Sequence, residues 1–175
     1  MGPSATVSSL DTAGERPYPR TVSTVRRATV EDAAVLGRLL WDFNTEFDTE
    51  TDEADVLARR FARLMGLDGV LAVLAEDDGA AVGFALVTLR PAIWFDGPVS
   101  QLEELYVVPT LRSGGIGTQV LGLCRSLVRD LGSPEMHINV DEVDTDTRRF
   151  YERHGFRNIE DGTDYRTLCY IGPTA

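Results

Sequence analysis

The stretch from Leu105 to Thr118 holds the residues best suited to chemistry. An apolar strand, Leu105-Tyr106-Val107-Val108, is ended by Pro109 and runs into Arg112-Ser113-Gly114-Gly115-Ile116-Gly117-Thr118, which opens a helix. Successive amides in such a turn converge into a nest, and the helix N-terminus adds about half a positive charge. Together they form an anion site whose usual occupant is a pyrophosphate. Three glycines let the backbone approach that ligand with no Cβ in the way. Arg112 is expected to add a full charge at the rim. The plainer alternative is a glycine turn that merely starts a helix. A P-loop would need Gly-Lys-Ser/Thr, and all 17 basic residues here are arginine. The dinucleotide fingerprint would need a third glycine where Val120 stands. Two carboxylates, Glu103 and Glu104, precede the strand's apolar run. Simple alternation puts them on opposite faces, Glu103 with Leu105 and Val107, Glu104 with Tyr106.

The elements that must position these groups follow from periodicity and turn signals. Val25 to Ala28 reads as a first strand. Thr29 to Asp32 resembles a cap, and Ala33, Leu36, Leu40 and Phe43 recur at helical spacing. A polar connector, 44–53, leads to a second helix that ends near Gly66. Val70 to Ala75 and Ala81 to Leu89 are strands joined at Asp78-Gly79, a strong hairpin signal. Leu102 to Val108 is the strand before the glycine turn. The following helix is expected to carry Ile116, Val120, Leu123, Cys124, Leu127, Val128 and Leu131 on its apolar face. Met136 to Val140 is a strand, Asp144 to His154 a short helix, and Phe156 to Ile159 and Asp164 to Ile171 two last strands. The order βααβββαβαββ implies an α/β fold with one mixed central sheet flanked by helices.

Bulk composition suits a single domain over 22–175 behind a Pro/Gly/Ser-rich leader, residues 1–21. Of the 175 residues, 43% are hydrophobic, enough for a real core. A net charge of −11 repels phosphate backbones, so no nucleic-acid partner is expected. No apolar run spans a membrane and no secretory signal is visible, so a cytoplasmic protein is expected. Cys124 falls on a helix's apolar stripe and reads as a core thiol. His137 and His154 are scattered, and no metal site is expected.

Arg112-Ser113-Gly114-Gly115-Ile116-Gly117 resembles the R/Q-x-x-G-x-G/A motif of the GNAT superfamily of N-acetyltransferases, and Leu105-Tyr106-Val107-x-Pro109 resembles the strand that leads into it. Arg149-Phe150-Tyr151-Glu152-Arg153-His154-Gly155-Phe156 is similar to a second signature near the family's C-terminus. The resemblance covers roughly residues 24–172. It implies the GNAT fold and acetyl-CoA as cosubstrate, with the pyrophosphate on the amides of residues 113–118. It further implies that pantetheine lies along a splayed strand at Leu105, Tyr106 and Val107, with the Val107 amide at the thioester carbonyl. An amine nucleophile has a pKa near ~10.4 and needs a base. A polyamine acetyltransferase of the superfamily has an L-E-D-x-x-V run whose glutamate base aligns with Glu103. The resemblance therefore favours Glu103 as base, with Glu104 the alternative. Tyr151 aligns with the tyrosine that protonates the departing thiolate, though it can also be read as a core aromatic beside Phe150. Asp144 stands where relatives often carry an Asn that bonds pantetheine; it can cap the helix instead. Ser113-Gly114 replaces the commoner Gly-basic pair.

The resemblance places the amine acceptor between the connector after the first helix, the loop before the fourth strand, and the last hairpin. Five acids lie between Glu46 and Glu53. Trp94, Phe95 and Asp96 occupy the second place, and Glu160, Asp161 and Asp164 the third. Such a cleft draws a small cationic amine, polyamine or aminoglycoside-like. A peptide or protein amine is the alternative acceptor. A non-catalytic acyl-CoA sensor is the alternative of another class, and an acidic surface kept for solubility is the plain one. A homodimer is expected by analogy with relatives.

Overall fold

The computed structural model describes residues 24–174; the expected leader lies outside them. One sheet runs in the order β1 (Thr24–Arg27), β2 (Val70–Asp77), β3 (Ala80–Arg90), β4 (Val99–Val107), β5 (Met136–Ile138). The first four strands are antiparallel, and β5 lies parallel to β4. The helices are α1 (Ala33–Glu46), α2 (Ala54–Leu64), α3 (Ile116–Asp130) and α4 (Thr145–Arg153). A parallel neighbour requires a crossover, and α3 supplies it between β4 and β5.

The central strands are apolar on both faces because helices cover both. Val73, Val87 and Val107 pack with Ile116, Val120 and Cys124 of α3 and with Tyr151 of α4. On the other face Leu74, Phe84 and Tyr106 meet Leu36 and Leu39 of α1 and Phe61 of α2. Cys124 is fully buried, and burial pushes its thiol up to about 12, so it is an inert core residue. The β2–β3 hairpin turns through Asp78 and Gly79, both at positive φ, as expected of that dipeptide. Among the described residues no helix is long and apolar enough to cross a membrane.

Two expectations fail at the C-terminal end. The strands over 156–159 and 164–171 do not form; a single bridge, Ile159 to Arg166, is what remains of them. The Asp161-Gly162 turn does close, the Thr163 amide donating to the Glu160 carbonyl at 3.1 Å, and outside it the Thr167 amide donates to the Asn158 carbonyl at 2.7 Å. Beyond it, Tyr165, Leu168, Tyr170 and Ile171 are exposed. Alternating apolar residues make a strand only where a sheet edge and a covering layer await them. The preceding strand, β5, is only three residues long and ends at Ile138, short of the expected Val140.

α1 and α2 cross at Gly37. A Cβ there would stand 2.4 Å from the Ala58 amide nitrogen and 2.7 Å from the Ala54 carbonyl oxygen, backbone atoms that cannot step aside. On an exposed helix, Gly→Ala stabilises by about 1 kcal/mol. At this crossing overpacking costs about 1–3 kcal/mol and wins. Gly37→Ala is therefore expected to lower the melting temperature by several degrees; an unchanged or raised value contradicts this packing.

Candidate active site

β4 loses its regularity where the carboxylates stand. Its register with β3 pairs Leu86 with Glu104 but Val87 with Leu102, so Glu103 is the extra residue of a β-bulge. Leu102, Leu105 and Val107 all belong to the α3-side core. Glu104 pairs with Leu86, whose side chain faces the α1–α2 side. Glu103 accepts a hydrogen bond from the Thr88 hydroxyl at 2.5 Å, and Thr88 lies two residues along from Leu86, on that same face. Both carboxylates thus belong to one face. The opposite-face expectation is corrected: Glu103 does not share a face with Leu105 and Val107, because the bulge shifts the alternation.

The two carboxylates differ in setting. Glu103 is exposed and Glu104 half-buried. Burial first, and the charge of Glu103 second, push the Glu104 carboxyl up to about 6.

β4 is also left without a neighbour on one side. Pairing with β5 covers only Ser100, Gln101 and Leu102. Among the described residues no ladder covers the β5-side edge from Glu103 to Val107. The Val108 amide donates to the Val82 carbonyl of β3 at 2.9 Å. Alternation then turns the Val107 amide and carbonyl toward the open side. The carbonyl is taken: Arg112 Nε donates to it at 2.9 Å.

The turn after β4 has the form a nest requires. A short 3-10 turn, Pro109–Leu111, leads to Ser113 at φ 62 and Gly115 at φ 90. α3 begins at Ile116, and the first intrahelical bond runs from the Gln119 amide to the Gly115 carbonyl. The amides of Ile116, Gly117 and Thr118 therefore lack intrahelical acceptors. A Cβ at Gly115 would meet nothing within 4 Å, so this side of the turn is open. Gly117 plays a different part, since its missing Cβ leaves room for the Phe150 ring, 3.4 Å from that position. It lets α4 dock on α3. The Thr118 hydroxyl lies 3.1 Å from His154 Nε2, while His154 Nδ1 donates to the Phe150 carbonyl at 2.7 Å. His154, scattered in sequence, is thus a brace between the two signature segments.

Arg112 does not stand free at the rim. Its Nη1 and Nη2 donate to the two oxygens of Glu46 at 2.6 and 2.7 Å, and the guanidinium lies 5.5 Å over the Tyr106 ring. The expected free charge is therefore already paired. In the sequence Glu46 stands only within an acidic connector, and no local pattern signals this partnership. Asp52 of that connector is paired too, with Arg60 at 2.6 Å, and Asp161 of the last hairpin with Arg157 at 2.5 Å. Trp94 is almost fully exposed and Phe95 partly so.

Tyr151 is buried, edge-on to Phe150 at 5.1 Å and to Phe156 at 5.9 Å. Burial raises its phenol well above the ordinary value, helped by the charges of Asp144 and Glu104. It keeps its proton across the working pH range. Asp144 caps α4, accepting from the Thr147 amide at 3.1 Å. That is the capping role left open in the sequence.

Residues 34–156 match the family described as Acetyltransferase (GNAT) family. The chain belongs to that family. It is an acyl-CoA-dependent N-acetyltransferase with the mixed sheet and flanking helices of the GNAT fold. An aminoglycoside N(6')-acetyltransferase type 1 of Stenotrophomonas maltophilia is 30% identical over 144 residues, covering 78% of this chain and 88% of the relative. A solved structure from Arthrobacter sp. FB24, assigned as an acetyltransferase, is 41% identical, with a TM-score of 0.80 over 87% of this chain and 97% of that one. A soil-metagenome aminoglycoside acetyltransferase in complex with sisomicin shares the fold, with a TM-score of 0.66 over 85% of this chain and 96% of that one, at 16% identity.

The raised Glu104 carboxyl leaves a mark on the stability of this GNAT domain. A folded-state value above the ordinary 4.5 favours the protonated form, so the stability it contributes is present below 4.5 and is lost as pH rises through about 6. Glu104→Gln mimics the neutral form. After allowance for solvent screening, the variant is expected to be more stable than wild type at pH 8 by roughly 1 kcal/mol. The gap should close below pH 4.5. Urea unfolding at both pH values checks this, and a variant less stable at pH 8 contradicts it.

Proposed function

We propose that this enzyme moves an acetyl group from acetyl-CoA to a primary amine of a small cationic acceptor, polyamine or aminoglycoside-like. The observation that carries the reading is the open β4 edge, Glu103 to Val107, running directly into a turn of unpartnered amides. Such an edge accepts an extended amide chain as an added strand. The turn suits a pyrophosphate on the amides of residues 113–118, with Ser113, Gly114, Gly115, Ile116, Gly117 and Thr118 as its lining. Leu105, Tyr106 and Val107 then line the pantetheine arm. The acyl thioester supplies an activated carbonyl, and the Val107 amide is the donor placed to stabilise charge on its oxygen.

Glu104 is the better-tuned of the two carboxylates for taking the amine's proton, directly or through water. Its value of about 6 lies near working pH, where a base is both ionised and effective. Glu103 is held by Thr88, and its charge helps keep Glu104 basic. Tyr151 offers the sulfur a hydrogen bond rather than a fully transferred proton. Its phenol is raised, whereas a thiol of pKa ~8.5 leaves readily as thiolate. The 30% identical aminoglycoside acetyltransferase and the unpaired part of the acidic connector support a cationic acceptor.

A thiol-release assay with acetyl-CoA tests this over polyamines, aminoglycosides, amino acids and basic peptides. Turnover of polyamines or aminoglycosides well above amino acids is the expected result. Turnover of peptides alone would move the assignment to a protein amine, and release with no amine would leave a sensor. Glu104→Gln is expected to lose about 10²–10⁴-fold at neutral pH and to lose the acid limb near pH 6 of the kcat/KM profile. A larger loss in Glu103→Gln would return the role to Glu103. Tyr151→Phe is expected to lose roughly 10- to 100-fold in kcat, the worth of one hydrogen bond to a charged sulfur. Normal turnover with lowered stability would make Tyr151 a packing residue.

A further inference from the structure

We propose that Arg112 is a positioning residue that clamps Val107, and that Glu46 holds it in place, so that Arg112 acts on the rate of acyl transfer rather than on binding of the pyrophosphate. The proposal rests on the reading above that the Val107 amide serves the thioester carbonyl.

The geometry is a three-way junction at the end of β4. Arg112 Nε reaches back five residues to the Val107 carbonyl at 2.9 Å. Both terminal nitrogens go to Glu46, a bidentate pair at 2.6 and 2.7 Å across 66 positions of sequence. The Tyr106 ring lies under the guanidinium. Tyr106 is buried and stacks on Phe43, 5.2 Å away, which lies one helical turn before Glu46 on α1. The last turn of α1 thus grips the end of β4 twice, once through aromatic packing and once through the ion pair.

That grip is needed because β5 is absent from this part of the sheet. A strand interior is normally held on both sides. Val107 has β3 on one side only, through the Val108 amide. The Arg112 bond to the Val107 carbonyl replaces the missing neighbour, yet leaves the Val107 amide free. A forked guanidinium suits this junction because it can bond a carbonyl through Nε while both terminal nitrogens bind one carboxylate. Lysine has no such fork. To meet a pyrophosphate in full, Arg112 would have to leave a charge-paired, bidentate partner. An amide misplaced by an ångström costs on the order of 10²-fold in rate.

The test separates binding from rate in Arg112→Gln, Arg112→Lys and Glu46→Gln. CoA affinity is measured by calorimetry, and turnover with acetyl-CoA and spermine or kanamycin. We expect Arg112→Gln to lose about 10- to 100-fold in kcat with less than a threefold change in the CoA Kd. Arg112→Lys should stay low in kcat, since it keeps the charge without the fork. Glu46→Gln, an exposed helix-end change that leaves the core intact, should shift kcat in the same sense by less. The double variant Arg112→Gln/Glu46→Gln should be no worse than Arg112→Gln alone. A CoA Kd weakened tenfold with kcat unchanged, rescued by Arg112→Lys, would overturn the proposal in favour of a phosphate contact. If Arg112→Gln does not fold, an unchanged kcat in Glu46→Gln overturns it. A wild type that acetylates no amine sinks the proposed function instead, and the calorimetric arm still decides between clamp and phosphate contact.

Discussion

The structure depends on one strand edge that the fold leaves without a partner. β4 lies in the interior of a sheet, yet among the described residues it has a neighbour from Glu103 onward only on the β3 side. Unmet backbone groups inside a protein cost as much as lost hydrogen bonds, so an edge kept open must be braced and must have a use. The bracing is visible. The bulge at Glu103 turns the strand, the Val108 amide is tied to β3, and Arg112 occupies the Val107 carbonyl. What stays available is a row of amides leading to the helix N-terminus of α3.

The electrostatics fit that arrangement. This is an acidic protein whose proposed cosubstrate is a polyanion, so long-range attraction is not what holds it. The basic side chain within the turn segment, Arg112, is spent on Glu46. The proposed anion site would then rest on backbone dipoles, which act at short range. On the same strand, burial of Glu104 and the nearby charge of Glu103 bring one carboxyl to about 6. The bulge puts two carboxylates on one face, where the charge of one raises the other.

Much of this is legible in the sequence because it is local. Strand, turn and helix from Leu105 to Val128 follow from periodicity and glycine placement, and Asp78-Gly79 marks its hairpin. The two signatures point to a candidate site, and Asp144 is open to capping as found. The bulge has a local signal as well, which simple alternation overlooks: Leu102-Glu103-Glu104-Leu105 puts two polar residues between two apolar ones that share a core face. What could not be read is long-range. Glu46 and Arg112 lie 66 positions apart, and nothing in either local pattern announces the other. The last two strands are expected on either side of the Asp161-Gly162 turn, but strand formation also needs a neighbour, and the bridge from Ile159 to Arg166 is what forms.

The open edge of β4 is the proposed seat of the cosubstrate. Amide hydrogen exchange, followed residue by residue by NMR with and without CoA, tests it most directly. The amides of Leu105 and Val107, and those of Ile116 to Thr118, are expected to become slow when CoA is added. The Val108 amide, already bonded to Val82, should not change and serves as the internal reference. Protection elsewhere, with the exchange of Leu105 and Val107 unaltered, would contradict it.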